Sequence, residues 1–95
     1  MADNDLSFEW DEEKRQKIIN ERGLDIVSLA PIVFADPNVV IKQDNRCDYN
    51  EERFLAYGIV EDLRLCVCFS IREKNIRLIT IFKLNKKDWR KHYEK

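Results

Sequence analysis

The sequence predicts a single α+β domain, a small antiparallel sheet with N-terminal helices and a C-terminal helix. Three observations carry this. Arg53–Val60, Leu63–Ile71 and Ile76–Phe82 are β-rich runs separated only by Glu61-Asp62 and Glu73-Lys74-Asn75, which read as hairpin turns. Two helix-forming segments precede them, each introduced by an aspartate. A lysine-rich segment with Trp89 and Tyr93 at i, i+4 follows them. Ninety-five residues leave room for one core, so the domain is expected to span residues 1–95.

Phe8-Glu9-Trp10 reads as a short strand with Phe8 and Trp10 on one face. Asp11 can cap the helix that follows, and Glu12 and Glu13 suit the positive end of its dipole. The helix runs to Arg22, with Ile18 and Ile19 as its apolar face, and Gly23 stops it. Asp25 can cap a second helix over Ile26–Phe34, where Val27, Ala30, Val33 and Phe34 share one side. Pro31 inside that stretch predicts a bend or a late start. Asp36-Pro37-Asn38 is a turn signal, and Val39-Val40-Ile41 a strand. In the three long runs both alternating faces are partly apolar, so the sheet should be helix-covered on one side and cupped on the other. Lys86–Glu94 is the last helix. Trp10, Trp89 and Tyr93 are expected in the core or at helix-docking contacts.

No apolar run approaches the roughly 20 residues that cross a bilayer. The first five residues are acidic and lack the apolar core of a secretory signal, so the expected compartment is the cytoplasm. Residues 1–48 carry eleven acidic and six basic side chains, whereas residues 49–95 carry seven acidic and eleven basic. That asymmetry suits either a positive face for an anionic partner or a solvated basic helix. Cys66 and Cys68, at i, i+2, would share one strand face. With Cys47 and His92 they lack zinc-site spacing, so they are expected as buried, reduced core residues. His92, the one histidine, reads as a surface residue of a basic helix.

Several short segments follow one another along the chain. They are Phe8-Glu9-Trp10-Asp11 with Lys14 three positions on, Asn20, Phe34-Ala35-Asp36-Pro37, the run Arg46-Cys47-Asp48-Tyr49-Asn50-Glu51-Glu52-Arg53-Phe54, Gly58, and Arg77-Leu78-Ile79 leading to Lys83. In that order they resemble the BrnT-type ribonuclease toxins of bacterial type II toxin–antitoxin pairs, from Phe8 to about Tyr93. The resemblance implies a RelE-like fold and RNA cleavage without a metal or other cofactor. It also implies a cognate antitoxin as partner, and binding of operator DNA by the toxin–antitoxin complex. The chain departs from the family's pattern at three positions. Arg22 precedes Gly23 where the family usually has His, Cys47 follows Arg46 where it has His, and Phe82 precedes Lys83 where it has Arg.

Metal-free cleavage of RNA requires a base for the 2′-hydroxyl, cations for the phosphate and a proton for the 5′-oxygen. The expected catalytic residues are Glu52, Arg53, Arg77 and Lys83, with the arginines on phosphate and Glu52 orienting or abstracting; Glu51 is the alternative base, and a Tyr or Lys could donate the proton. Lys14, Arg22, Arg46 and Tyr49 are the expected RNA contacts. Ion pairing within the sheet is the competing account of Glu52, Arg53 and Arg77. Two other functions stay open: a catalytically weak or inactive toxin-fold protein in a regulatory complex with antitoxin and operator, and a stand-alone RNA-binding module.

Overall fold

The aspartates open their helices as their chemistry dictates. In the computed structural model, which describes residues 7–45 and 51–93, the Asp11 carboxylate accepts from the Glu13 and Lys14 amides at 3.0 and 3.3 Å. Helix α1 then runs Glu12–Arg22 and ends at Gly23, whose φ of 69° needs no Cβ. Asp25 caps α2 (Ile26–Phe34) through the Val27 amide. Its carboxylate also takes a two-pronged contact from Arg15, at 2.9 and 2.8 Å, which fastens α1 to the start of α2. This guanidinium is the main reason that the Asp25 carboxyl is lowered to about 2. Pro31 does not delay α2, which begins at Ile26. It lies on the exposed side, and the helix continues through it to Phe34.

The strands are β1 (Ser7–Glu9), β2 (Val40–Gln43), β3 (Phe54–Val60), β4 (Leu63–Arg72) and β5 (Asn75–Lys83), and helix α3 (Lys86–His92) closes the described chain. They form one sheet in the order β1-β5-β4-β3-β2. The β2-β3-β4-β5 meander is antiparallel as expected, but β1 joins β5 in parallel, Phe8 opposite Ile76. The sheet is therefore mixed, because the two helices between β1 and the meander return the chain to the far edge. The second hairpin turn is tighter than expected, with Asn75 already paired to Arg72.

Both faces of the sheet are buried. On one, Ile18, Leu24, Ile26, Ala30 and Val33 of the helical layer pack on Ala56, Val60, Leu65, Val67, Phe69, Leu78 and Ile81. Phe34 meets Phe69 edge-to-face at 5.0 Å, a favoured aromatic geometry. On the other face Trp89 of α3 covers Leu55, Tyr57, Cys66 and Cys68, so the two cysteines are core residues as their spacing predicted. A register shift between Cys68 and Phe69 pairs them with Thr80 and Leu78 and leaves Ile79 as an extra residue. That bulge lets Leu78 and Ile81 share the helix-side core while Ile79 joins the opposite cluster. Trp10 departs from expectation. It lies just past β1, 36% exposed, with its indole N–H on Glu12.

Two residues fix how the layers meet. A Cβ on Gly58 would lie 3.0 Å from the Val33 carbonyl, so only glycine lets the end of α2 approach β3 this closely. Asp36, in the turn after α2, gathers three elements. Its Oδ1 accepts from the Asn38 amide at 2.8 Å, and its Oδ2 accepts from the Ile59 amide at 2.9 Å and from the Tyr93 hydroxyl at 3.0 Å. Burial works to raise this carboxyl, but the three donors outweigh it and lower it. Asp36 thus docks the end of α3 as well as shaping the turn.

Candidate functional site

The face carrying α3 also carries two of the residues expected to act, Arg53 and Arg77, because strand alternation sends them there. Ser70, Cys68 and Cys66 point to that face of β4, and Ser70 pairs with Arg77 of β5. Arg53 immediately precedes Phe54, which faces the helical layer, so Arg53 points with Leu55 and Tyr57 to the α3 side. Its carbonyl accepts from the Asp44 amide at 2.8 Å, which continues the β2–β3 ladder one residue past the strand. Arg53, Ser70, Arg77 and Glu9 therefore form one row across β3, β4, β5 and β1. With strands about 4.8 Å apart, the two arginine backbones stand roughly 10 Å from each other.

Within this row Arg77 meets Glu9 at 3.5 Å, a long ion pair between two side chains that are each one-third exposed. Ser70 is fully buried, and its hydroxyl has no hydrogen-bond partner among the described residues. A buried hydroxyl without a partner costs about 1–3 kcal/mol of folding stability. The next row holds Arg72, paired with Glu51 at 3.0 Å.

A groove of about 410 Å3 opens beside α3 on the same face, with Leu55, Tyr57, Phe82 and Leu84 as its apolar lining. Its polar residues are Lys42, Gln43, Asp44 and Asn45 at the β2 edge and Asp88 and His92 on α3. His92 is not the plain surface residue that its helix suggested. Its ring stacks on Tyr57 with centroids 4.8 Å apart, and Nδ1 lies 3.3 Å from the Lys42 ammonium. Leu55 lines the groove two residues along from Arg53, so groove and arginine row adjoin.

The other expected residues are dispersed. Glu52 is exposed, with its carboxylate 3.4 Å from the side-chain amide of Gln43, whose register partner Phe54 faces the helical layer. Lys83 pairs with Leu65, a residue of the helix-side core, which sets it on the opposite face from Arg77. Lys14 and Arg22 share a different groove with Lys17 and Thr80, between α1 and β5. Arg22 is used there as a clasp, donating to Thr80 Oγ1 at 3.0 Å and to the Ile81 carbonyl at 2.9 Å. Arg46, Cys47 and Tyr49 lie outside the described residues. Sequence reasoning did not select Lys42 or Ser70. The available signal was alternation, since Lys42 follows Val40 on one strand face and Ser70 follows Cys66 and Cys68. Among the described residues no group of three or more His, Cys, Asp and Glu side chains could hold a metal ion, and no helix is long and apolar enough to cross a membrane.

A sheet with the two N-terminal helices on one face and the C-terminal helix on the other is the α+β architecture that the sequence predicted. The family described as "Ribonuclease toxin, BrnT, of type II toxin-antitoxin system" matches residues 10–88. The chain belongs to that family, and membership implies a cognate antitoxin as its partner. No curated protein and no solved structure matches the chain.

Proposed function

We propose that this protein is a metal-independent endoribonuclease toxin, held inactive by its cognate antitoxin. One observation supports the reading above the others: Arg53 and Arg77, far apart in sequence, stand on one sheet face with Ser70 between them. Guanidiniums that rise from one row of the sheet can reach a phosphodiester laid across it and stabilise the charge that builds on it during cleavage. The adjoining groove offers an apolar wall for a nucleoside, so the substrate is single-stranded RNA whose bases can splay from the backbone. Glu51 and Glu52 are the carboxylates that the sequence offers as base, and Glu51, paired with Arg72 in the next row, stands on the arginine face. Operator DNA is contacted through the toxin–antitoxin complex.

A specific observation favours a second reading, a toxin-fold partner with weak or no catalysis. Arg22 is committed to Thr80 and the Ile81 carbonyl, and Phe82 packs among Leu55, Tyr57 and Trp89. Two of the three positions that depart from the family's pattern therefore serve packing here. The two readings separate on expression from a tight inducible promoter, beside an Arg53→Ala, Arg77→Ala double variant at equal protein level. Growth arrest with fragmented RNA, and cleavage by purified protein in excess chelator, are expected for the wild type and not for the variant. Intact RNA from folded wild-type protein would overturn the nuclease reading in favour of the regulatory partner.

A further inference from the structure

The α3 face carries a second group of cations, at the other end of β4 from the arginine row. We propose that the pocket between the β3–β4 hairpin and α3 binds a phosphate of single-stranded RNA away from the cleaved bond. Arg64, Lys86 and Arg90 take the phosphate, and Ile59 takes the adjoining nucleoside. The site rests on the ribonuclease reading for the identity of its ligand.

Alternation again selects the face. Arg64 stands two residues before Cys66, so β4 presents Arg64 at one end of the α3 side and Arg72 at the other. The Arg64 Nε donates to the Leu84 carbonyl at 3.3 Å, and the Leu84 amide returns a bond to the Arg64 carbonyl at 2.9 Å. That holds the guanidinium by one edge and leaves its two amino groups without a partner among the described residues. Asn85 then caps α3 through the Asp88 amide, which sets Lys86 and Arg90, one turn apart, on the wall of the same pocket. Neither makes an ion pair among the described residues, whereas Arg15, Arg72 and Arg77 each meet a carboxylate. The pocket's own carboxylates, Glu61 and Asp62, are exposed in the hairpin turn and pair with none of the three. Three like charges around a pocket of about 290 Å3 repel one another until an anion enters, and guanidinium forks match phosphate oxygens.

The neighbourhood identifies the anion. Ile59, the cross-strand partner of Arg64, leaves 41% of its surface open beside the guanidinium. A nucleotide uses both, its phosphate on the cations and its ribose or base on the apolar wall. Continuity points the same way. Along β3 the α3 face runs Arg53, Leu55, Tyr57, Ile59, which is arginine row, groove and then pocket. Ser70 of the arginine row lies six residues (64 to 70) beyond Arg64 on β4, about 20 Å. A single strand several nucleotides long therefore reaches both sites at once. The pocket anchors and makes no bond, so it lowers KM for such a strand and leaves kcat to the arginine row.

The test uses a fluorescent 2′-O-methyl RNA of about 12 nucleotides, within the footprint of single-strand binders, which lacks the attacking hydroxyl and reports binding alone. An Arg64→Gln, Arg90→Gln double variant should bind it about tenfold more weakly or worse. The slope of log affinity against log salt should fall by about 0.7, the share of one phosphate in a single strand. A Lys87→Gln, Lys91→Gln double variant removes two exposed charges of α3 outside the pocket and should stay within about threefold of wild type. On cleavable RNA the pocket variant should raise KM as binding falls and change kcat little. A Lys86→Gln, Arg90→Gln pair alters only exposed side chains and replaces the first if loss of the Arg64–Leu84 bond prevents folding. Equal weakening by the pocket and control variants would overturn the site in favour of the general field of a basic helix. Unchanged RNA binding by the folded pocket variant would overturn it too, and antitoxin binding lost in that variant would give the pocket to the protein partner. Wild-type protein that binds the oligonucleotide but cuts no RNA would sink the nuclease reading and leave this site standing. Protein that neither binds nor cuts would sink both.

Discussion

Asp36 belongs to a segment shared with the toxin family, yet its contacts are architectural, and a double-mutant cycle with Tyr93 can prove it. Its carboxylate receives two amides and one hydroxyl, at 2.8 to 3.0 Å. A hydrogen bond to a charged group contributes about 1.5–3 kcal/mol net. In Asp36→Ala water can replace part of this at the exposed Asn38 and Ile59 amides but less at the part-buried Tyr93 hydroxyl, so the expected cost is about 3 kcal/mol. Tyr93→Phe removes only the hydroxyl and should cost about 1–1.5 kcal/mol. The double variant should cost less than the sum, with a coupling of about 1 kcal/mol, because either single change already breaks the shared bond. A domain of this size has about 5–15 kcal/mol to lose, so all three variants remain folded. Urea unfolding followed by tryptophan emission suits the measurement, since Trp89 is buried and stacks on Tyr93 at 4.1 Å. A Trp10→Phe background removes the exposed emitter. Coupling below about 0.3 kcal/mol, within ordinary additivity, would refute the bond between turn and helix.

Two further outcomes follow from the same packing. Gly58→Ala should lower stability by about 1–3 kcal/mol, because its methyl meets the Val33 carbonyl rather than a side chain that can swing aside; an unchanged urea midpoint would contradict that close approach. Asp25 is held at about 2, against an ordinary 3.8, chiefly by Arg15. A depressed carboxyl contributes stability that is complete above its unfolded value and is lost as pH falls through its folded one, so the loss falls between about pH 4 and 2. Solvent screening reduces this to about 1 kcal/mol, and Asp25→Asn should flatten that part of the acid titration; identical acid profiles for the two proteins would count against the Arg15 clasp.

Much of the architecture is legible along the chain because its causes are local. Asp11, Gly23 and Asp25 mark helix ends through atoms two to four residues away, and period-two alternation in residues 53–82 marks the strands. The same alternation puts Arg53 with Leu55 and Ser70 with Cys68, so half of the candidate site follows once pairing is known. What the sequence by itself determined was therefore the order and ends of the elements, and, through the matching segments, the family. Only the tertiary structure decided the rest. The parallel seat of β1, the bulge at Ile79, the docking of Tyr93 on Asp36 and the meeting of His92 with Lys42 join residues 9 to 68 positions apart. Such contacts depend on strand register and on which helix face finds burial, and a local pattern carries neither. The same physics explains the misreadings. Trp10 lost its core place when β1 ended at Glu9, and His92 gained the groove when Trp89 and Tyr93 drew α3 onto the sheet.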